Sequence, residues 1–315
     1  MPFVTAFYRA LGTGMVISVD SPIDDKVRSA MESLIEDYEH VLSRFRNDSL
    51  IAAIGKAEHG GSFDFPDWCA PLFDLYDALF SATSGAIDPC VGEDLIRLGY
   101  DASLSFTVTQ DAPEHLGALR GRAVWGRDVT RHGTTLVTHE PVQLDFGACG
   151  KGYLVDLLGR MLQSSQFAID AGGDLLIHAE QPISVALEDP EDQSHAIGIA
   201  HIANGALCAS APSRRHWNVA VNERTQIAIH HLLNAIDGLP AQQTEASWAY
   251  VPANATLNLA RDYPTAVADG LATALFVSDV AQLQRTFDFT YATLDESRQI
   301  AVSRNFPAEL FLRSA

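Results

Sequence analysis

Between Phe167 and Val251 the chain offers one strand-like piece after another with no helical stretch among them: Phe167 to Asp170, Ile183 to Leu187, Ala196 to Ile202, Trp217 to Val221 and Trp248 to Val251. Parallel neighbours need crossovers of about a dozen residues, usually a helix, whereas antiparallel neighbours are joined directly. That run, with Gly14 to Val19, Thr134 to Thr138 and Gln299 to Val302, points to an α+β fold of mostly antiparallel sheets with flanking helices, not a doubly wound parallel sheet. Helical spacing of apolar residues marks four helices. One follows Ser21-Pro22, with Val27, Met31, Ile35, Tyr38 and Leu42 on one stripe to about Phe45. A second spans about Pro66 to Ala82 and stops at Ser84-Gly85; a third opens at Gly150-Lys151-Gly152; a fourth covers about Thr265 to Val277. No internal repeat or low-complexity linker divides the chain, so a single domain over residues 1–315 is expected. Its 315 residues suffice to bury a core without disulfides.

A formal net charge of −19 excludes a chain whose main partner is a nucleic acid backbone and disfavours anionic membranes. An anionic ligand must be held locally, by a metal ion or by helix N-termini. Met1 to Ala10 shows no basic segment, long apolar run or lipid-anchor cysteine, and no stretch reaches the ~20 apolar residues of a membrane span. The four cysteines make no C-x-x-C pair. A cytoplasmic protein with reduced thiols is the expectation.

Several segments can carry chemistry, each with a plainer reading. Asp145-Phe146-Gly147-Ala148-Cys149-Gly150-Lys151-Gly152 is a strand end, a small-residue loop and a helix start. Such a loop lets a ligand reach the backbone and free N–H groups, with Lys151 able to meet a phosphate or a ring heteroatom; it is equally a tight turn with an exposed lysine. Gly172-Gly173 before Asp174 reads first as a bulge or hairpin, and as a close backbone approach to a planar ligand. Asp269 and Thr273 stand one helical turn apart and share a face. That pair of hard oxygens suits Mg²⁺, or else a dipole-complementing acid and a buried threonine. Of His230 and His231 only one can look into a given cleft if both end a strand, and a lone strand histidine is usually a satisfied polar residue. Ser84 to Gly92 reads as turn punctuation.

The order of these pieces is more specific than any one of them. From about Gly12 to Val277 the chain resembles the ApbE-type FAD:protein FMN transferases. The likeness is carried by Gly12-Thr13-Gly14-Met15 and by Leu42-Ser43-Arg44-Phe45 with Asn47-Asp48-Ser49. It continues through Gly85-Ala86-Ile87-Asp88-Pro89-Cys90-Val91-Gly92 (the family's "G-x-F-D-P-T-V-G"), Asp145 to Gly152 ("D-L-G-G-I-A-K-G"), Gly172-Gly173-Asp174 ("GGD"), Glu188-Asp189-Pro190 and Asp269 to Leu275 ("D-A-L-A-T-A-L"). The resemblance implies a T-fold-like architecture with a flavin cleft between two lobes. It implies Mg²⁺-dependent transfer of FMN from FAD to a Thr or Ser hydroxyl of a target flavoprotein, releasing AMP. By position, Asp269, Thr273 and the Gly150 carbonyl are implied metal ligands. Lys151, Gly172, Gly173 and Asp174 are implied to line the flavin site, with Met15, Arg44, Asp88 and Glu188 as further candidates. His231 falls where the family has "H-I-I-D-P-x-T-G-x-P" and can act as general base, with Asp174 as the alternative.

Two stretches depart from that pattern. The histidine motif carries Asn234 and Ala235 for the family's aspartate and first proline. Ala209-Ser210-Ala211-Pro212-Ser213-Arg214-Arg215 replaces "A-T-S-G-D-Y-x-R". These changes leave open two other activities, an FAD pyrophosphatase yielding FMN and AMP, and a flavin-binding protein without catalysis.

Overall fold

The structure is a computed structural model that describes residues 1–222 and 225–311. Its centre is a nine-stranded sheet, in which every pairing is antiparallel. From one edge the strands run Phe3–Ala10, Thr13–Val19, Phe167–Asp170, Asp174–Glu188, Ala196–Ser210, Thr244–Pro252, Thr290–Asp295 and Ile300–Val302, with Ala308–Leu310 pairing on Ala196–Ser210. The family-like α+β architecture follows from tight connections. Leu11 and Gly12, at φ 52° and 70°, turn the first strand onto the second. Gly172 and Gly173, at φ 71° and 108°, make the hairpin that the plainer reading of that motif expected.

Period-two alternation feeds two cores. Ala206, Cys208 and Ala249 face the layer of helices, while Leu207 and Trp248 face a smaller cluster with Leu187, Leu294 and Phe306. The first helix, Asp25–Leu42, buries Met31, Ile35, Tyr38 and Leu42. It begins later than Ser21-Pro22, because the Asp24 carboxylate accepts the Lys26 N–H at 2.8 Å and caps it there. The helix Ala70–Ala82 stops where expected: Ser84 and Gly85 turn left-handed, and the Gly85 N–H donates to Phe80 O at 2.8 Å.

The third helix, Gly147–Gly159, opens one turn before Gly150, since Asp145 Oδ1 takes the Gly147 N–H at 2.6 Å. Gly150 and Lys151 are therefore inside the first turns of the helix and not in a loop ahead of it. The fourth, Pro264–Ala274, lies across the third. Gly152 is where they touch: a Cβ there would sit 2.3 Å from Thr265 O. The buried Asp156 carboxylate of the third helix accepts the Thr265 and Ala266 N–H groups at 3.1 and 2.8 Å, supplying the cap that Tyr263 does not. Among the described residues no helix is long and apolar enough to cross a membrane. The four cysteines are buried and free.

Candidate active site

A cleft of about 770 Å³ opens where the Leu11-Gly12 turn, the start of the Gly147–Gly159 helix, the glycine hairpin, the Pro264–Ala274 helix and the segment after His230 converge. That volume is within the range of small-molecule sites.

Asp269 and Thr273 both reach its wall, one turn apart as the spacing predicted. Asp269 is 2% exposed, and its Oδ2 accepts the Gly152 N–H at 3.0 Å. Lys151 Nζ lies 2.5 Å from Asp174 Oδ2 and 3.3 Å from Asp269 Oδ1. Asp174 itself stands behind the wall, 1% exposed, and meets the cleft through Lys151. Burial, reinforced by the Asp174 charge, pushes the Asp269 carboxyl up to about 7 against the pull of Lys151. Burial opposes the charge on Lys151, but the two carboxylates outweigh it and raise its pKa.

The Gly150 carbonyl accepts the Tyr38 hydroxyl at 2.8 Å, and the Tyr38 ring stacks on Trp68 at 5.3 Å. Arg44 enters from the other side. Its Nε bonds Asp145 and its Nη1 donates to Tyr100 O at 2.6 Å, while the guanidinium lies 4.2 and 4.7 Å from the Phe45 and Tyr100 ring centres. Its side chain is 7% exposed, yet Nη2 has no partner; nor has the buried Tyr76 hydroxyl.

His231 lies just after the strand Thr225–His230, not within it. The two rings diverge. His230 Nε2 is 2.8 Å from Ala241 O, whereas His231 lines the cleft with Nδ1 3.2 Å from Arg215 O. A carbonyl only accepts, so Nδ1 carries the proton and Nε2 keeps a lone pair. Burial pushes the half-buried ring down to about 4, so it is neutral near pH 7.

The remaining sequence candidates divide. Gly172 is on the cleft wall and Gly173 is not. Asp88 borders the cleft, but its oxygens accept the Cys90 and Trp125 N–H groups at 2.8 and 3.3 Å and face Arg122 at 3.4 Å, which is the work of holding a loop. Met15 is buried in the sheet core, and Glu188 pairs with Arg214 at 2.8 Å outside the wall.

Both departures in the histidine segment are absorbed locally. Asn234 Oδ1 accepts the Ile236 N–H at 3.0 Å, as an aspartate oxygen in an Asx turn does. The Ala235 N–H donates to Ala86 O at 3.1 Å, a bond that proline lacks a hydrogen to make.

The residues fit the implied ligands. Two buried donors without partners, Arg44 Nη2 and Tyr76 Oη, await acceptors on the cleft wall. Among the described residues no three His, Cys, Asp or Glu side chains form a metal set. A cation would therefore draw on a carboxylate, a hydroxyl and oxygens of its substrate, the donor chemistry of Mg²⁺. Tyr38, Tyr76 and Asp156 escaped the sequence reading, because a tyrosine on an apolar stripe and an acid inside a helix look like core and surface.

The ApbE family model matches residues 11–293. An FAD:protein FMN transferase of Klebsiella pneumoniae (strain 342) is 23% identical over 274 residues, 83% of this chain and 74% of that one. One from Treponema pallidum (strain Nichols) is 27% identical over 286 residues, 80% and 72%. Among solved structures, an ApbE protein of Thermotoga maritima superposes with a TM-score of 0.78 at 19% identity, covering 98% of this chain and 99% of that one. The flavin transferase ApbE of Vibrio cholerae gives 0.76 at 18% identity, covering 96% and 97%.

Proposed function

The chain belongs to the ApbE family, and on that premise we propose that it is an FAD:protein FMN transferase, joining FMN from FAD to a Thr or Ser hydroxyl of a flavoprotein and releasing AMP. The observation that carries the reading is the meeting of Lys151, Asp269 and Thr273 on one cleft wall.

Asp269, Thr273 and the Gly150 carbonyl would hold Mg²⁺, which supplies positive charge against a diphosphate. Lys151 adds the only lysine charge of the cleft, in a chain with three lysines. Arg44 offers Nη2 to an acceptor on the ligand, and its stacking between Phe45 and Tyr100 fixes the direction of that donor. His231 takes the proton of the acceptor hydroxyl at Nε2, being neutral and held by its other nitrogen. Asp174 is the weaker base, because its Oδ2 is engaged by Lys151.

The loop Ala211-Pro212-Ser213 borders the cleft and differs most from the family's wording, which keeps FAD hydrolysis as a second reading, with water as acceptor. Incubating the chain with FAD, Mg²⁺ and co-expressed candidate flavoproteins, then measuring AMP and the mass of the acceptor, separates the two. AMP with an FMN adduct supports transfer; AMP with free FMN and no adduct supports hydrolysis. Flavin binding with no AMP, unchanged in Asp269→Ala, leaves only a binder.

A further inference from the structure

The Lys151 ammonium is wedged between two carboxylates nearly sealed from water, 2.5 Å from Asp174 and 3.3 Å from Asp269. Orienting Asp269 does not require it, since the other oxygen of that carboxylate already accepts the Gly152 N–H at 3.0 Å. One ammonium and two carboxylates leave a net charge of −1. A divalent cation arriving alone at Asp269 meets a resident cation on the same carboxylate. To bind well it must drive Lys151 off, which strips Asp174 of its counter-charge in a buried place. A diphosphate removes the obstacle, because its oxygens give the ammonium another partner and bring the negative charge that the crowded cations need.

We propose that Lys151 makes this site selective for metal and dinucleotide taken together, admitting neither tightly by itself. The proposal deepens the transferase reading and rests on it for the identity of the diphosphate. Binding linkage makes the effect reciprocal: FAD tightens Mg²⁺ by the same factor by which Mg²⁺ tightens FAD, about 5- to 150-fold for couplings of ordinary size. The lysine is thus a positioning residue whose place in the empty site sets the order of events.

The test titrates Mg²⁺ into the metal-stripped full chain at pH 8 by calorimetry, with and without FAD. FAD is titrated separately by flavin fluorescence, with and without Mg²⁺. The wild type should show the two factors equal and at least about tenfold. Lys151→Met should bind Mg²⁺ alone at least about tenfold tighter, with the coupling collapsing toward one. Lys151→Met binding Mg²⁺ alone no tighter than the wild type overturns the proposal. So does a wild type that binds FAD equally with and without Mg²⁺, which leaves the flavin reading standing; no FAD binding in either condition sinks both. Should the variant not fold, the wild-type factors decide by themselves.

Discussion

Alanine at Gly152 puts one methyl group between the two helices that make the cation side of the cleft. Its Cβ would stand 2.3 Å from Thr265 O, 2.6 Å from Thr265 C and 2.9 Å from Ala266 N, all backbone atoms that no rotamer change can move. Restoring an ordinary 3.4 Å contact parts the helices by about 1.1 Å. The Gly152 N–H bond to Asp269, now 3.0 Å, then stretches beyond hydrogen-bonding range, and Lys151 draws away from the same carboxylate. Overpacking costs about 1–3 kcal/mol, the lost bond adds ~1, and the better helix propensity of alanine returns ~1. The net loss is about 2 kcal/mol, read as a melting point lower by roughly 4–8 °C. The matched control is Gly150→Ala, two residues earlier, whose Cβ would lie 3.4 Å from the Tyr38 hydroxyl in ordinary contact. It should stay within about 0.5 kcal/mol of the wild type. Thermal melts of both variants, paired with Mg²⁺ titrations in the presence of FAD, check the pair. If Gly152→Ala melts with the wild type and binds metal as well, the close helix contact does not govern the site.

Asp269→Asn should keep the fold and flavin binding yet lose metal-dependent AMP release by at least about a hundredfold, measured by chromatography of the products. His231→Ala should slow transfer by about 10²- to 10⁴-fold with little change in FAD affinity. Because the His231 ring titrates at about 4, the wild-type rate should persist down to mildly acidic pH and lose this base only as pH falls through that value. Burial lifts Asp156 from 3.8 to about 7, so the native state holds a proton that the unfolded chain releases near pH 4. Its share of stability is present below pH 4 and is lost as pH rises through 7, by up to about 4 kcal/mol. Urea midpoints of Asp156→Asn across pH 4–8 should therefore slope less than those of the wild type, and parallel slopes would falsify the linkage.

The α+β class was legible because strand-like segments adjoin without helices between them, and adjacency leaves hairpins as the economical connection. Asp269 and Thr273 were legible because a four-residue spacing on a helix is a statement about one face. Residues whose work is done across the chain were not. Asp156 caps a helix 109 positions away, and Tyr38 bonds a carbonyl 112 positions away, and neither distance leaves a local trace in the sequence. The start of the Gly147–Gly159 helix was misjudged because glycine is a poor helix former. Propensity yielded there to the Asp145 carboxylate and to packing. Met15 and Glu188 entered through motif position alone, and a motif fixes order along the chain, not which side of a strand a residue takes.

The cap that Asp156 provides has a mechanical consequence. The helix bearing Lys151 and the helix bearing Asp269 are bolted together at two levels, by the glycine contact and by a carboxylate that grips the partner's first amides. Such a jaw cannot yawn without stranding buried amides, so it behaves as a fixed anvil. Whatever widening admits a bulky dinucleotide or an acceptor polypeptide falls to the facing side, where the Arg215 and His231 segments are tied to each other by single bonds near the surface.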